Sequence, residues 1–296
     1  MNKHCPQCGH KYESTLANCP HCHHDNESLK QRDIFRNDIH VSPFQNLGLF
    51  CMGLLGFQLF GLIVATIVQS NFVATFLSSN PGASAETIAA AWVEAYKADP
   101  GYGMTINGVS YIMVAIGVFL ILWQGIKEFG KSFTKLRNIG HGVLGFFGLL
   151  LTGIILNMLT NILRPATTAN ANQSALTTIA TGGYALYAIV IFGFVGPICE
   201  ELTYRVGLFS FIKRFSRTAA FIIAPIVFGM IHFDWTAFAS GGETLVNELI
   251  NIPDYIIAGL IFSYLYDEYG IAGSTTAHIL NNVYSISMML LLSNSK

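Results

Sequence analysis

The stretch 142-GVLGFFGLLLTGIILNMLTNIL-163 contains no Asp, Glu, Lys or Arg. A helix that crosses a bilayer needs about 20 predominantly apolar residues, and this run is long enough. The same reading extends along the chain. Further candidate spans lie at 46–69, 106–125, 181–212, 218–234, 253–267 and 275–293. The run 181–212 is long for one span and contains Pro197, while 253–267 is short, so the expectation is six to eight membrane helices. Their Gly content suits helices that pack closely in lipid. The fold class expected is all-α, a polytopic membrane helical bundle.

Composition agrees. Hydrophobic residues make up 52% of the 296 and charged residues 11%, against roughly 25% charged in an ordinary soluble domain. So few charges cannot cover a water-exposed surface, so much of the surface must face lipid. The formal net charge of −1 offers no basic excess for nucleic-acid binding. No signal peptide is read, because the first long apolar run begins near Leu47.

Basic residues set orientation. Lys30, Arg32 and Arg36 precede the first span; Lys127, Lys131, Lys135 and Arg137 follow the second; Lys213, Arg214 and Arg217 follow the fourth. These clusters predict a multi-pass protein of the cell membrane with a cytoplasmic N-terminus. The loop 70–105 is read as outside and contains a helix over Ser84–Ala98, in which Ile88, Trp92 and Tyr96 form one stripe. That helix either lies on the membrane surface or forms a lid over a substrate entrance.

Before the first span the chain is polar. Residues 1–26 hold Cys5-Pro-Gln-Cys8, ten further residues, then Cys19-Pro-His-Cys22; residues 27–45 read as a charged cytoplasmic linker and 46–296 as the membrane domain. Two such hairpins can place four thiolates around Zn²⁺. Gly9 follows the first pair where a knuckle needs backbone freedom; His23 stands at the equivalent place in the second. His21, His23 and His24 are competing ligands, and two disulfides are the alternative, disfavoured if this end is cytoplasmic. The motif resembles a short zinc ribbon of bacterial membrane proteins. About 26 residues build no hydrophobic core, so the metal would supply the folding free energy. Its four-cysteine set leaves no open position for catalysis, which points to structural Zn²⁺ and to a protein partner as what the ribbon docks.

Ionisable groups inside hydrocarbon are costly and tend to be functional. Of nine histidines, His232 and His278 alone fall within apolar runs, and Glu200 and Glu201 are the paired acids of a candidate span. Glu201 and Arg205 are four apart and share a helix face; Glu200 is rotated by about 100° and points elsewhere. Phe228 lies one turn before His232, and Asn282 one turn after His278. Glu200 is 13 residues before Lys213, and His232 is 15 after Arg217. If 213–217 is a turn, both lie about 20 Å along antiparallel helices and face each other. His278 is not placed in depth by this argument. Each residue also has a plain structural reading: an ion pair for Glu201–Arg205, a backbone contact for His232, a helix–helix contact for His278 and Asn282.

Glu-Glu-x-x-x-Arg, Phe-x-x-x-His and His-x-x-x-Asn, in that order, resemble the CPBP family of intramembrane proteases, over about 180–295. That family includes CAAX prenyl endopeptidases and proteins of bacteriocin processing and self-immunity. The resemblance implies that Glu200 and His232 activate water, that His278 and Asn282 stabilise the oxyanion, and that Glu201, Arg205 and Phe228 support the site. It leaves a catalytic metal undecided; Asn282 suits an oxyanion hole better than a zinc shell. The implied substrate is a peptide or membrane-associated protein, with a bacteriocin or peptide pheromone favoured over a prenylated protein in a bacterial host. The alternatives are a non-catalytic immunity or regulatory protein of the same fold and a proton-coupled transporter, the latter weakened by the absence of internal repeats.

Overall fold

The computed structural model describes residues 2–26, 34–165 and 167–293. Part of the expected linker, including Lys30 and Arg32, lies outside the described residues. The chain divides into two compact units, Met1–Asp38 and Ile39–Lys296.

The first unit pairs β1 (Asn2–His4) with β2 (Lys11–Glu13) in an antiparallel ribbon. Its apolar centre is small: Tyr12 with Cys5 and Cys19.

The second unit is helical. Its elements are α1 (Pro43–Ser79), α2 (Ala85–Ala98), α3 (Pro100–Gln124), α4 (Ile126–Ser132), α5 (Leu136–Leu163), α6 (Ala171–Thr181), α7 (Ala185–Lys213), α8 (Arg217–Met230), α9 (Ala237–Ser240) and α10 (Gly242–Ser293). Among the described residues, α1, α3, α5, α7 and α10 are long and apolar enough to cross a membrane. Helix starts follow the sequence: Ser42, Ser84, Asn170 and Ser216 each accept a backbone N–H of the first turn. With Ser42 as cap, α1 begins at Pro43, and Ile39 and Val41 are already buried, so the bundle starts earlier than the linker boundary at residue 45.

One candidate span needs correction. The run 218–234 is helical only to Met230, too short for a full span. The runs 253–267 and 275–293 belong to one element, α10, broken at Gly270 with φ 72°. Phe262 and His278 lie 16 residues apart, about 24 Å along a straight helix. Their rings stack with centroids 4.4 Å apart. The two halves of α10 therefore fold back on each other, and Gly270 supplies the left-handed backbone that the turn needs. The hairpin packs against α5 and α8.

One end of this unit gathers charge. Lys213 and Arg217 pair with Asp267 at 2.6 and 2.5 Å, Arg217 also reaches Glu268, and Arg214 donates to the Val41 carbonyl and to Asn46. The 213–217 turn and the Gly270 turn thus lie at the same end, the placement that sequence spacing left open. Outward faces are apolar: Leu55, Leu59 and Leu62 of α1 and Leu144, Phe147 and Leu151 of α5 are exposed, as a lipid-facing belt requires. The interior is tight. At Gly207 a Cβ would lie 2.8 Å from the Phe50 backbone nitrogen, so α1 and α7 approach closely.

Helix α7 contains two wide π-type turns, Ile189–Val195 and Leu202–Phe209, with Pro197 between them. Pro197 sits just after the first wide turn, which has already released backbone groups.

Candidate functional site

Glu200, Glu201 and Arg205 come from the narrow segment between and into those wide turns. The pair expected from spacing is present: Arg205 Nε lies 3.3 Å from Glu201 Oε2, and both side chains are fully buried. The guanidinium also lies over the Phe228 and Phe262 rings, at 4.8 and 5.4 Å from their centroids. Glu201 Oε1 accepts from His278 Nδ1 at 3.0 Å. Glu201 therefore bridges a cation on its own helix and a histidine on the α10 hairpin.

Glu200 faces a cavity of about 290 Å³. Its Oε1 accepts the Tyr111 hydroxyl at 2.9 Å, and its Oε2 lies 3.7 Å from His278 Nε2. The same cavity is lined by Phe228, His232, His278 and Asn282. His232 Nδ1 lies 2.8 Å from the Phe228 carbonyl oxygen. A carbonyl only accepts, so the proton sits on Nδ1 and Nε2 keeps its lone pair. The His232 ring stacks on Tyr255 at 4.3 Å. Asn282 donates from Nδ2 to the Phe192 carbonyl at 3.0 Å, a group of the first wide turn; its amide has a second N–H.

All seven membrane residues singled out from sequence meet here, Glu201 and Arg205 forming the support behind the cavity. Sequence reasoning passed over Tyr111 and Tyr255. A signal for Tyr111 existed: Asn107 and Tyr111 are four apart in an otherwise apolar span, and both line the cavity. The helix expected over Ser84–Ala98 forms with Ser84 as its cap, and Trp92 packs on Phe72 and Tyr102. None of its residues lines the cavity.

In the first unit, Cys5, Cys8, Cys19 and Cys22 are free thiols whose sulfurs all lie within 4.8 Å of one another. Cys5–Cys22 and Cys8–Cys19 are 3.5 and 3.7 Å apart. A disulfide needs about 2.05 Å, whereas four thiolates about 2.3 Å from Zn²⁺ stand about 3.8 Å apart. The set fits a tetrahedral metal, and no histidine joins it. The two knuckles match bond for bond: Gly9 N–H donates to Cys5 O and His23 N–H to Cys19 O. Gly9 and His23 share the left-handed conformation, φ 72° and 56°, so His23 takes a strained place where glycine is the easier residue. Burial opposes ionisation of Cys5, but the Cys8 and Gln7 backbone N–H groups bring it down to about 6. The His24 N–H favours the Cys22 thiolate, yet burial and the neighbouring thiols push that group up to about 12. Four clustered thiolates need a cation. Among the described residues this is the group whose metal-ligand atoms converge; Glu200, His232 and His278 do not form one.

Residues 182–284 match the family model of the Rce1-like type II CAAX prenyl endopeptidases. The match covers about a third of the chain and contains all seven membrane residues named above. A protein of Mycoplasma capricolum subsp. capricolum, described as uncharacterized, is 22% identical over 253 residues, 79% of this chain. The chain spans 64% of the length of that relative. No solved structure matches. The five long apolar helices make this a multi-pass membrane protein, and its residues 182–284 are similar to the Rce1-like family.

Proposed function

We propose that the protein is an intramembrane endopeptidase acting on a peptide or membrane-associated protein, with Glu200 as the general base. The observation that carries the reading is the Glu200 carboxylate in the cavity, held by the Tyr111 hydroxyl at 2.9 Å and faced by His278 at 3.7 Å. A water beside Glu200 loses its proton to the carboxylate as its oxygen attacks the peptide carbonyl; Glu200 then returns that proton to the leaving amine. His232 presents its free Nε2 to the same space and orients the water.

The His278 ring, with Nδ1 on Glu201, carries charge when Nε2 is also protonated. Two carboxylates then face Arg205 and His278, and the buried charges balance. Protonated Nε2 and the second N–H of Asn282 are the oxyanion donors. The Asn282 amide also secures the wide turn through Phe192, so it serves both the backbone and the reaction. Asn282 suits an oxyanion donor better than a zinc shell, which favours a mechanism without a catalytic metal.

The N-terminal cysteines hold structural Zn²⁺ in a cytoplasmic knuckle and offer a docking module for a protein partner. The deciding experiment is Glu200→Gln in protein purified in detergent and assayed on candidate peptides. Loss of cleavage with an unchanged melting profile supports the reading. Unchanged cleavage removes Glu200 from the mechanism; no cleavage of any candidate peptide by the unsubstituted protein favours a partner-binding membrane scaffold.

A further inference from the structure

The cavity is closed on one side by α6. Asn172, Gln173, Leu176 and Ile179 of this helix line it. Every other lining residue comes from the long apolar helices or from α8 and the segment just after it. At about 290 Å³ the cavity is at the lower bound for a small-molecule pocket and is too small to hold an extended chain of several residues. A peptide substrate therefore needs one wall to move.

Helix α6 is the short, polar wall; Ile179 and Ala180 are its buried apolar contacts, in a cluster with Met104 and Ile286. It is 11 residues long and rich in Asn, Gln, Ser and Thr. Its C-terminus runs into Gly182 and Gly183, the latter at φ 96°, a backbone suited to a hinge. Its N-terminus is tied to α10 by side chains. The Ala171 N–H donates to Glu248 Oε1 at 2.7 Å, and the Asn170 and Asn172 amides donate to the Tyr255 hydroxyl, each at 3.3 Å.

Both α10 residues also hold the His232 segment. The Tyr255 ring lies on the His232 ring, 4.3 Å between centroids and 13° from parallel. Glu248, buried, accepts the Asp234 N–H through its other oxygen at 3.1 Å. Two side chains thus touch the wall at one end and the histidine segment at the other.

We propose that α6 is the substrate gate and that Tyr255 is a positioning residue coupling gate closure to the orientation of His232. When the gate is open, the Tyr255 hydroxyl is free and the ring can shift; when α6 closes over a bound chain, its amides pin the hydroxyl and the ring fixes the imidazole. The coupling to catalysis rests on the reading of His232 above, and the gate on the reading of the substrate as a peptide.

The test uses Cys199, a cavity-lining thiol that is 2% exposed. Its modification by N-ethylmaleimide is followed by peptide mass spectrometry in the full-length zinc-loaded protein in detergent, with size exclusion as folding control. Tyr255→Phe keeps the ring and removes the hydroxyl. It should speed Cys199 labelling about fivefold, the factor that one ordinary hydrogen bond gives an opening equilibrium. It should also lower the KM for peptide cleavage, because the competent open state is more populated. Tyr255→Ala removes the ring as well and should reduce kcat at least tenfold more than Tyr255→Phe does. Unchanged Cys199 labelling in folded Tyr255→Phe overturns the gate. Equal kcat for the two variants overturns the positioning role. If Glu200→Gln leaves cleavage intact, Glu200 is not the base, while the labelling result still decides the gate.

Discussion

The N-terminal knuckle and the membrane cavity both crowd ionisable groups together, and they balance them in opposite ways. The knuckle collects four thiols of one sign and holds them with a few backbone N–H groups around Cys5, Tyr12 and Cys19. Nothing inside it neutralises the charge, and its core is too small to hold the fold. The cavity sets Glu200 and Glu201 against Arg205 and His278 within 3.0–3.7 Å, in a bundle whose core includes Leu202, Phe209, Phe262 and Tyr266. There the fold holds the charges, and the charges are free to serve chemistry. A cluster of like groups around a small core points to a bound cation; a cluster of opposed groups inside a large core is held by the fold itself.

The sharpest way to break this contrast is to remove the metal. A strong chelator should unfold residues 2–26, since structural Zn²⁺ contributes about 10–16 kcal/mol in small modules. The bundle should keep its melting temperature. Loss of the bundle's transition on chelation would mean that the two units are not independent.

Within the cavity, Glu200→Gln should lower cleavage about 10²- to 10⁴-fold, the range for a general base, at constant stability by thermal melting. Arg205→Met should do the reverse: it strands the buried Glu201 charge and should cost about 3–5 kcal/mol of stability, read as a lowered melting temperature. If Arg205→Met is stable, Glu201 is not charged and the balance described here is wrong. Tyr111→Phe removes a hydrogen bond to a carboxylate, worth about 1.5–3 kcal/mol; cleavage should fall roughly 10- to 100-fold with folding retained. The smallest effect expected is that of Gly270→Ala, which places a side chain at φ 72° and should cost about 1–2 kcal/mol.

What was legible in the sequence was local. The pairing of Glu201 with Arg205 follows from four-residue spacing on one helix, and the cysteine knuckles from their two-residue spacing. The approach of Glu200 to His232's cavity wall needed only one short turn, 213–217, to be inferred. The link from His278 to Glu201 was not legible, because it depends on the direction in which α10 turns. That direction is visible only when Lys213 and Arg217 meet Asp267 across the bundle end. Tyr255 was passed over for a similar reason: a tyrosine in an apolar run declares no partner until His232 and Asn172 are brought to it. Asn282 was read as an oxyanion donor, and its bond to Phe192 depends on a wide turn that no spacing rule announces.

By itself the sequence determined the membrane-spanning class, the metal-ligand set and the short list of polar side chains in hydrocarbon. These are matters of composition and of spacing within single helices, where geometry is fixed by hydrogen bonds between near neighbours. The tertiary structure decided which of those side chains touch, that the two runs either side of Gly270 fold back on each other, that Tyr111 holds Glu200, and that α6 rather than the 85–98 helix lines the cavity. Those contacts join residues from 16 to 89 positions apart, and only the packing of whole helices brings them within reach.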